Sequence, residues 1–180
     1  MMNVMEHPMV KAADEFAAKA HGDIGQVRKY TGEPYIVHPR EVAATLANMG
    51  FGSEVVSAAL LHDVCEDTPT TVEDIVEVFG ADVAKLVWEV TDQSKPTDGN
   101  RKTRKEIDRK HLARASGDGQ SIKLADLLNN LSSIFTEDPN FSKVIYHEVT
   151  ALLPNLGRGN PKLYARVQSV LDAYRNQVGG

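Results

Sequence analysis

One imidazole and three carboxylates fall within six consecutive residues, His62-Asp63-Val64-Cys65-Glu66-Asp67, directly after the apolar run Ala58-Ala59-Leu60-Leu61. On a helix, where successive residues turn by roughly 100°, His62 and Glu66 share one ridge and Asp63 and Asp67 the neighbouring one. Four ionisable groups so close together repel one another and resist burial unless a cation or a network of donors compensates. The plainer account is a helix end solvated by water, terminated by Thr68 before Pro69. Acidic side chains in a last turn oppose the helix dipole, however, and stability alone would favour Lys or Arg there. A bound metal ion removes that conflict.

Other residues gain meaning beside this cluster. His38 stands immediately before Pro39, which suits the first position of a helix. Alone, a histidine at a helix entrance is usually structural, and His38 becomes interesting only next to His62. Asp126 sits in the middle of an apolar helical pattern made by Ile122, Leu124, Ala125, Leu128 and Leu131, with Asn130 one turn on. A salt bridge to Lys123, three residues back, is the competing account of it. Arg28 and Lys29 are adjacent cations in the irregular stretch between Gly22 and Pro39, and Arg101, Lys102, Arg104, Lys105, Arg109 and Lys110 crowd one later helix. Glu106 and Asp108 among them favour a solvated face, although cations near an acidic site also suit a phosphorylated ligand. Cys65 lies among carboxylates, which raise a thiol pKa, so it reads as a small packed residue rather than a nucleophile.

Periodicity places these residues on helices. The spacing predicts helices over Pro8 to about His21, Pro39 to Met49 closed by Gly50, and from Ser53 into the acidic cluster. Thr70-Thr71-Val72-Glu73 fits a capping box for a fourth helix ending at Gly80, and Val83, Leu86, Val87 and Val90 mark a fifth. Asp92 to Asn100 is polar and aperiodic, a candidate mobile loop or lid. Helices over about Arg101 to Ala115, Gln120 to Phe135, Phe141 to Leu153 and Pro161 to Val178 complete the chain, the last capped by Asn160. Phe79 and Trp88 read as core or rim aromatics. No strand-like alternation of useful length and no internal repeat is visible. The expected class is all-α, a single domain over residues 1–180 with its core at about 10–178.

The 180 residues, 42% of them hydrophobic, suffice for one buried core. A net charge of −5 argues against a nucleic-acid polymer as partner and favours a small molecule. The single cysteine excludes an intramolecular disulfide, and no long apolar run suggests a signal peptide or membrane span. A cytoplasmic location without membrane association is the expectation; the oligomeric state is not legible.

The order His38, His62-Asp63, Asp126 resembles the HD phosphohydrolase superfamily, named after the His-Asp pair. The surroundings are similar to the alarmone hydrolases, the hydrolase half of RelA/SpoT-type proteins and their small stand-alone relatives. Three blocks carry the resemblance: Arg28-Lys29 with Thr31-Gly32-Glu33-Pro34-Tyr35-Ile36-Val37-His38-Pro39, then Ala59 to Thr68, then Lys123-Leu124-Ala125-Asp126 with Asn130. It implies an HD-type helical bundle and a hydrolase-only protein, without a synthetase or regulatory domain. It further implies that His38, His62, Asp63 and Asp126 bind a metal, usually Mn²⁺ or another divalent transition ion, and that Glu66 and Asp67 handle the attacking water. Arg28 and Lys29 would face the guanine nucleotide, Lys123 the phosphate and Asn130 the ribose. The implied reaction releases pyrophosphate from the 3′ position of ppGpp or pppGpp. Two imidazoles and two carboxylates with open positions are independently suited to such an ion and to phosphate oxygens. The chain departs from the family's usual pattern at Leu127, Asn129 and Cys65, which leaves the ligand set intact and bears on the fit of ribose and base. Another phosphorylated nucleotide, such as the 2′-phosphate of NADPH, or a nucleotide-sensing module without turnover, are the alternatives.

Overall fold

A helix that is apolar on every side must be buried on every side, and α3 (Ser53–Leu61) meets that condition: every residue from Val55 to Leu61 is buried. The structure, a computed structural model, describes residues 3–178. Around α3 stand α1 (Pro8–Asp23), α2 (Val37–Asn48) and α6 (Ala81–Val90), with α5 (Val72–Phe79) on α6 and the one-turn α4 (Val64–Asp67) touching α1. The second half has α7 (Arg101–Leu112), α8 (Gly117–Glu137), α9 (Pro139–Leu152) and α10 (Pro161–Val178). The expected all-α class holds, with no strand among the described residues beyond an isolated antiparallel bridge between Val27 and Pro34. The chain divides into two compact units, one ending at Thr91 and the other beginning at Asp92.

Within the first unit the helix boundaries differ from expectation in ways that matter for the site. Helix α2 begins at Val37, so His38 lies inside its first turn, with Pro39 just after it; proline is tolerated there because first-turn N–H groups lack helical partners. Helix α3 stops at Leu61, and His62 and Asp63 form a turn before α4. A continuous helix through the acidic cluster is therefore corrected to a broken one. The capping box sits one residue later than predicted: Thr71 caps α5 and Asp74 closes the reciprocal bond. Thr70 instead accepts a hydrogen bond from the Thr68 hydroxyl, 2.9 Å long. Glycine is needed at Gly80, where φ is +86° between α5 and α6.

In the second unit α8 is the element against which α9 and α10 pack. Its apolar side, including Ile122, Leu124 and Leu131, is buried together with Leu163, Val167 and Leu171 of α10. Buried Gln120 ties its start to distant backbone, donating to the carbonyls of Leu112 (3.1 Å) and Asn155 (3.0 Å) and accepting from the Arg158 N–H (2.9 Å). Gly159 packs so closely that a Cβ there would lie 2.5 Å from Leu124 Cδ1 and 3.2 Å from the Gln120 carbonyl carbon. The segment from Asp92 to Asn100, read as a mobile loop, is anchored at its start: buried Asp108 accepts from the Gln93 and Ser94 N–H groups and from the Ser94 hydroxyl, at 2.9–3.0 Å. Asp108 is thus an internal anchor and not part of a solvated face.

Candidate metal centre

Packing of α2 on α3 brings the first turn of one against the end of the other. His38 Nε2 and His62 Nε2 come to 3.3 Å, both rings buried. Asp63 Oδ2 lies 3.1 Å from His62 Nε2 and 3.6 Å from His38 Nε2, and accepts a 2.6 Å hydrogen bond from the Tyr35 hydroxyl. His62 Nδ1 is 2.7 Å from the Ala59 carbonyl oxygen, which can only accept, so Nδ1 donates there and Nε2 is the nitrogen that faces His38 and Asp63. Two imidazole nitrogens and a carboxylate oxygen converging in a buried place are a donor set for a divalent ion of borderline softness, and these residues fit one. Three of the four predicted ligands, distant in sequence, are thereby brought together in the first unit.

The fourth, Asp126, is buried on α8 in the second unit. Its Oδ2 accepts from Lys123 Nζ at 2.8 Å and its Oδ1 from Asn130 Nδ2 at 2.6 Å. The salt bridge weighed from sequence is therefore present, and Lys123 and Asn130, expected at phosphate and ribose, are here engaged with this carboxylate. Asp126, Lys123 and Asn130 also line a cavity of about 240 Å³ among α7, α8 and α9. Its basic residues are matched by acids: Arg101 donates twice to Glu148 (2.6 and 2.9 Å), Lys105 bonds Asp92 (2.9 Å), and Arg109 pairs with Glu106.

Glu66 and Asp67 stand exposed on α4, beyond the His62-Asp63 turn. Asp67 Oδ2 accepts a 2.8 Å hydrogen bond from Gln26 Nε2. Partial burial raises the Asp67 carboxyl from its ordinary value, opposed by the Gln26 hydrogen bond, and the Asp63 charge adds to the rise. Beyond Gln26, His21 Nδ1 lies 2.7 Å from Gln26 Oε1. Sequence reasoning passed over both residues; the available signal was a histidine in the last turn of a helix followed by a glycine-rich turn. Arg28 and Lys29 lie on the same loop, where the Arg28 N–H donates to the Glu33 carbonyl (2.8 Å) and Lys29 Nζ bonds the Tyr30 hydroxyl at 3.3 Å. Cys65 has its thiol pushed up to about 11, first by burial and then by Asp74, Glu66 and Glu73, as its carboxylate neighbours imply.

The chain is similar to known proteins. The family model described as HD domain matches residues 13–158. A guanosine-3′,5′-bis(diphosphate) 3′-pyrophosphohydrolase of Aquifex aeolicus is 44% identical over 128 residues, covering 70% of this chain and 18% of that protein. The Danio rerio enzyme of the same description, MESH1, is 38% identical over 135 residues, covering 74% of this chain and 73% of its own length. The bifunctional (p)ppGpp synthase/hydrolase SpoT of Escherichia coli is 40% identical over 127 residues. The chain thus spans about a fifth of the long bacterial relatives and most of the short one. Among solved structures, a metazoan ortholog of SpoT described as hydrolysing ppGpp superposes with a TM-score of 0.80 at 30% identity, over 96% of this chain and 97% of that one. The protein lmo0812 of Listeria monocytogenes gives 0.64 at 28% identity, over 80% of this chain and 99% of that one. With the family match spanning most of its length and the His-Asp pair at the centre of its buried donor set, this chain belongs to the HD domain family.

Proposed function

We propose that this chain is a metal-dependent hydrolase that removes the 3′-pyrophosphate of guanosine-3′,5′-bis(diphosphate) and its pentaphosphate form, working as one HD-type domain. The observation that carries the reading is the convergence of His38, His62 and Asp63, followed closely in sequence by the exposed carboxylates Glu66 and Asp67, in a chain whose relatives bear that activity in their names. Asp126 completes the ligand set, and Mn²⁺ is the ion. Bound there, the ion would supply Lewis-acid polarisation of phosphate oxygens and a lowered pKa for water in the site.

The protein's own groups do the rest. Glu66 and Asp67 orient a water molecule and take its proton as its oxygen bonds to the 3′ phosphorus. The bond between that phosphorus and the 3′ oxygen breaks, the 3′ oxygen receives a proton, and pyrophosphate leaves, giving GDP or GTP. Gln26 holds one oxygen of Asp67, so the carboxylate is pre-oriented for this work. Arg28 and Lys29 contact the nucleotide, an arginine plane being able to stack on a base. Lys123 and Asn130 serve phosphate and ribose beside Asp126. Among the described residues no helix is long and apolar enough to cross a membrane, and a cytoplasmic site of action with a small guanine nucleotide as partner completes the proposal.

Product chromatography after incubation with Mn²⁺ and ppGpp, NADPH, GTP or dGTP tests it. Pyrophosphate and GDP from ppGpp, with much slower turnover of the others, is the expected result. Orthophosphate released first from NADPH would assign the site to another nucleotide, and metal-loaded protein that turns over none of them would be a sensing module.

A further inference from the structure

His21 is 1% exposed, in the last turn of α1, and none of the proposed chemistry uses it. Its Nδ1 is 2.7 Å from Gln26 Oε1, and Gln26 Nε2 in turn donates to Asp67 Oδ2 at 2.8 Å. Its other nitrogen, Nε2, is buried with no hydrogen-bond partner.

These facts fix one another. Asp67 needs a donor, so the Gln26 amide must turn its NH₂ toward the carboxylate and its oxygen toward His21. That oxygen needs a donor as well, so His21 must carry a proton on Nδ1. A second proton, on Nε2, would be a buried charged N–H with nothing to accept it, which is the costlier state. The ring is therefore neutral and Nδ1-protonated. Were the proton on Nε2 alone, the amide would flip and set its oxygen against Asp67. Backbone contacts hold Gln26 in reach: its N–H donates to the His21 carbonyl (3.0 Å), its carbonyl accepts from the Tyr35 N–H (3.1 Å), and Gly25 makes the turn with φ +65°. The His21 ring also lies against Tyr35, centroids 4.8 Å apart, and Tyr35 is the residue whose hydroxyl holds Asp63.

We infer that His21 is a positioning residue for hydrolysis: as a neutral, Nδ1-protonated imidazole it locks the Gln26 amide so that Nε2–H holds Oδ2 of Asp67 and leaves the other carboxylate oxygen to the reacting water. The inference rests on the hydrolase reading for its catalytic consequence, and on geometry alone for the tautomer.

Two measurements separate these. Nitrogen NMR of the His21 ring in the intact protein should show Nδ1 protonated and Nε2 bare; an Nε2-protonated or doubly protonated ring overturns the proposal whatever the activity. In steady-state assays with Mn²⁺ and ppGpp, His21→Leu and Gln26→Leu should each lower kcat by about 10- to 100-fold, the range seen when a partner of a working side chain is lost. KM and metal affinity should stay within about twofold, because neither substitution removes a ground-state contact. His21→Asn, whose side-chain NH₂ can stand where Nδ1–H stood, should recover most of the loss. Parental kcat in folded Leu variants, or an Asn variant as impaired as Leu, sinks the inference. Should His21→Leu fail to fold, Gln26→Leu at its half-exposed position carries the same comparison. If the parental protein hydrolyses none of the nucleotides, the hydrolase reading fails and the catalytic half of this inference with it, while the ring spectrum still decides the clamp.

Discussion

His38 and His62 turn their Nε2 atoms toward each other at 3.3 Å, and because the Ala59 carbonyl takes the Nδ1–H of His62, Nε2 is the nitrogen that ring has left for the meeting point. Asp63 adds an anionic oxygen 3.1 Å from the same nitrogen. Such a concentration of metal-ligating atoms is suited to a cation.

Metal binding should therefore stabilise the fold. Mn²⁺ at a hundred times its Kd should add about 2.7 kcal/mol of stability, by mass action on the folded state. Thermal unfolding with and without chelator, alongside elemental analysis for about one ion per chain, measures this. His62→Ala and Asp126→Ala should remove both the ion and the shift; retention of Mn²⁺ by either would remove that residue from the ligand set.

Glu66→Gln and Asp67→Asn are expected to behave differently, because the two carboxylates stand outside the buried donor set. Each should keep the ion while turnover falls by roughly a hundredfold or more, as for loss of a positioned acid–base group. Isothermal Mn²⁺ titration set beside the ppGpp assay separates the two effects. Loss of metal together with activity would make these residues ligands.

How much of this was legible depended on how local the cause was. Apolar spacing specified the helices, and the His62-Asp63 pair with its following acids stood out because helix dipole and burial both oppose it. The break after Leu61 was not legible: both His62 and Asp63 keep right-handed helical backbone angles, so no glycine or proline marks it. The capping box slipped by one because Thr70-x-x-Glu73 and Thr71-x-x-Asp74 are equally good patterns, and Thr68 drew Thr70 into a separate bond. The bond from Gln26 to Asp67 spans 41 residues and an ordinary amide, which no periodicity announces. Asp108 looked like part of a solvated charge run for the same reason, its partners being the backbone of a loop 14 or 15 residues back.

Cys65 should be slow to alkylate. With the thiol pushed up to about 11, only about 0.1% is thiolate at pH 8, against roughly a quarter for an ordinary cysteine. Iodoacetamide labelling followed by mass spectrometry should proceed roughly a hundredfold slower than for a free thiol, and Cys65→Ala should hydrolyse ppGpp at close to the parental rate. Rapid labelling of the folded protein would contradict the burial and the carboxylate surroundings that raise the pKa.

The stretch from Asp92 to Asn100 is held near both ends within the second unit: Asp108 takes the Gln93 and Ser94 groups, and Arg101, at the start of α7, is clamped to Glu148. Asp108 is 3% exposed, so its charge is tolerated because these donors and Lys105, 3.7 Å away, satisfy it. Asp108→Ala removes the acceptor for three hydrogen bonds at once and should cost about 1–3 kcal/mol, while Asp108→Asn keeps an oxygen for the two backbone donors and should cost less. Amide hydrogen exchange reads the anchor directly: protection at Gln93 and Ser94 should vanish in the Ala variant, persist in part in the Asn variant, and stay unchanged in α8 in both. Equal exchange at Gln93 and Ser94 in the parental and Ala proteins would mean that the carboxylate does not hold the loop, and the segment would then be the mobile one that its composition suggests.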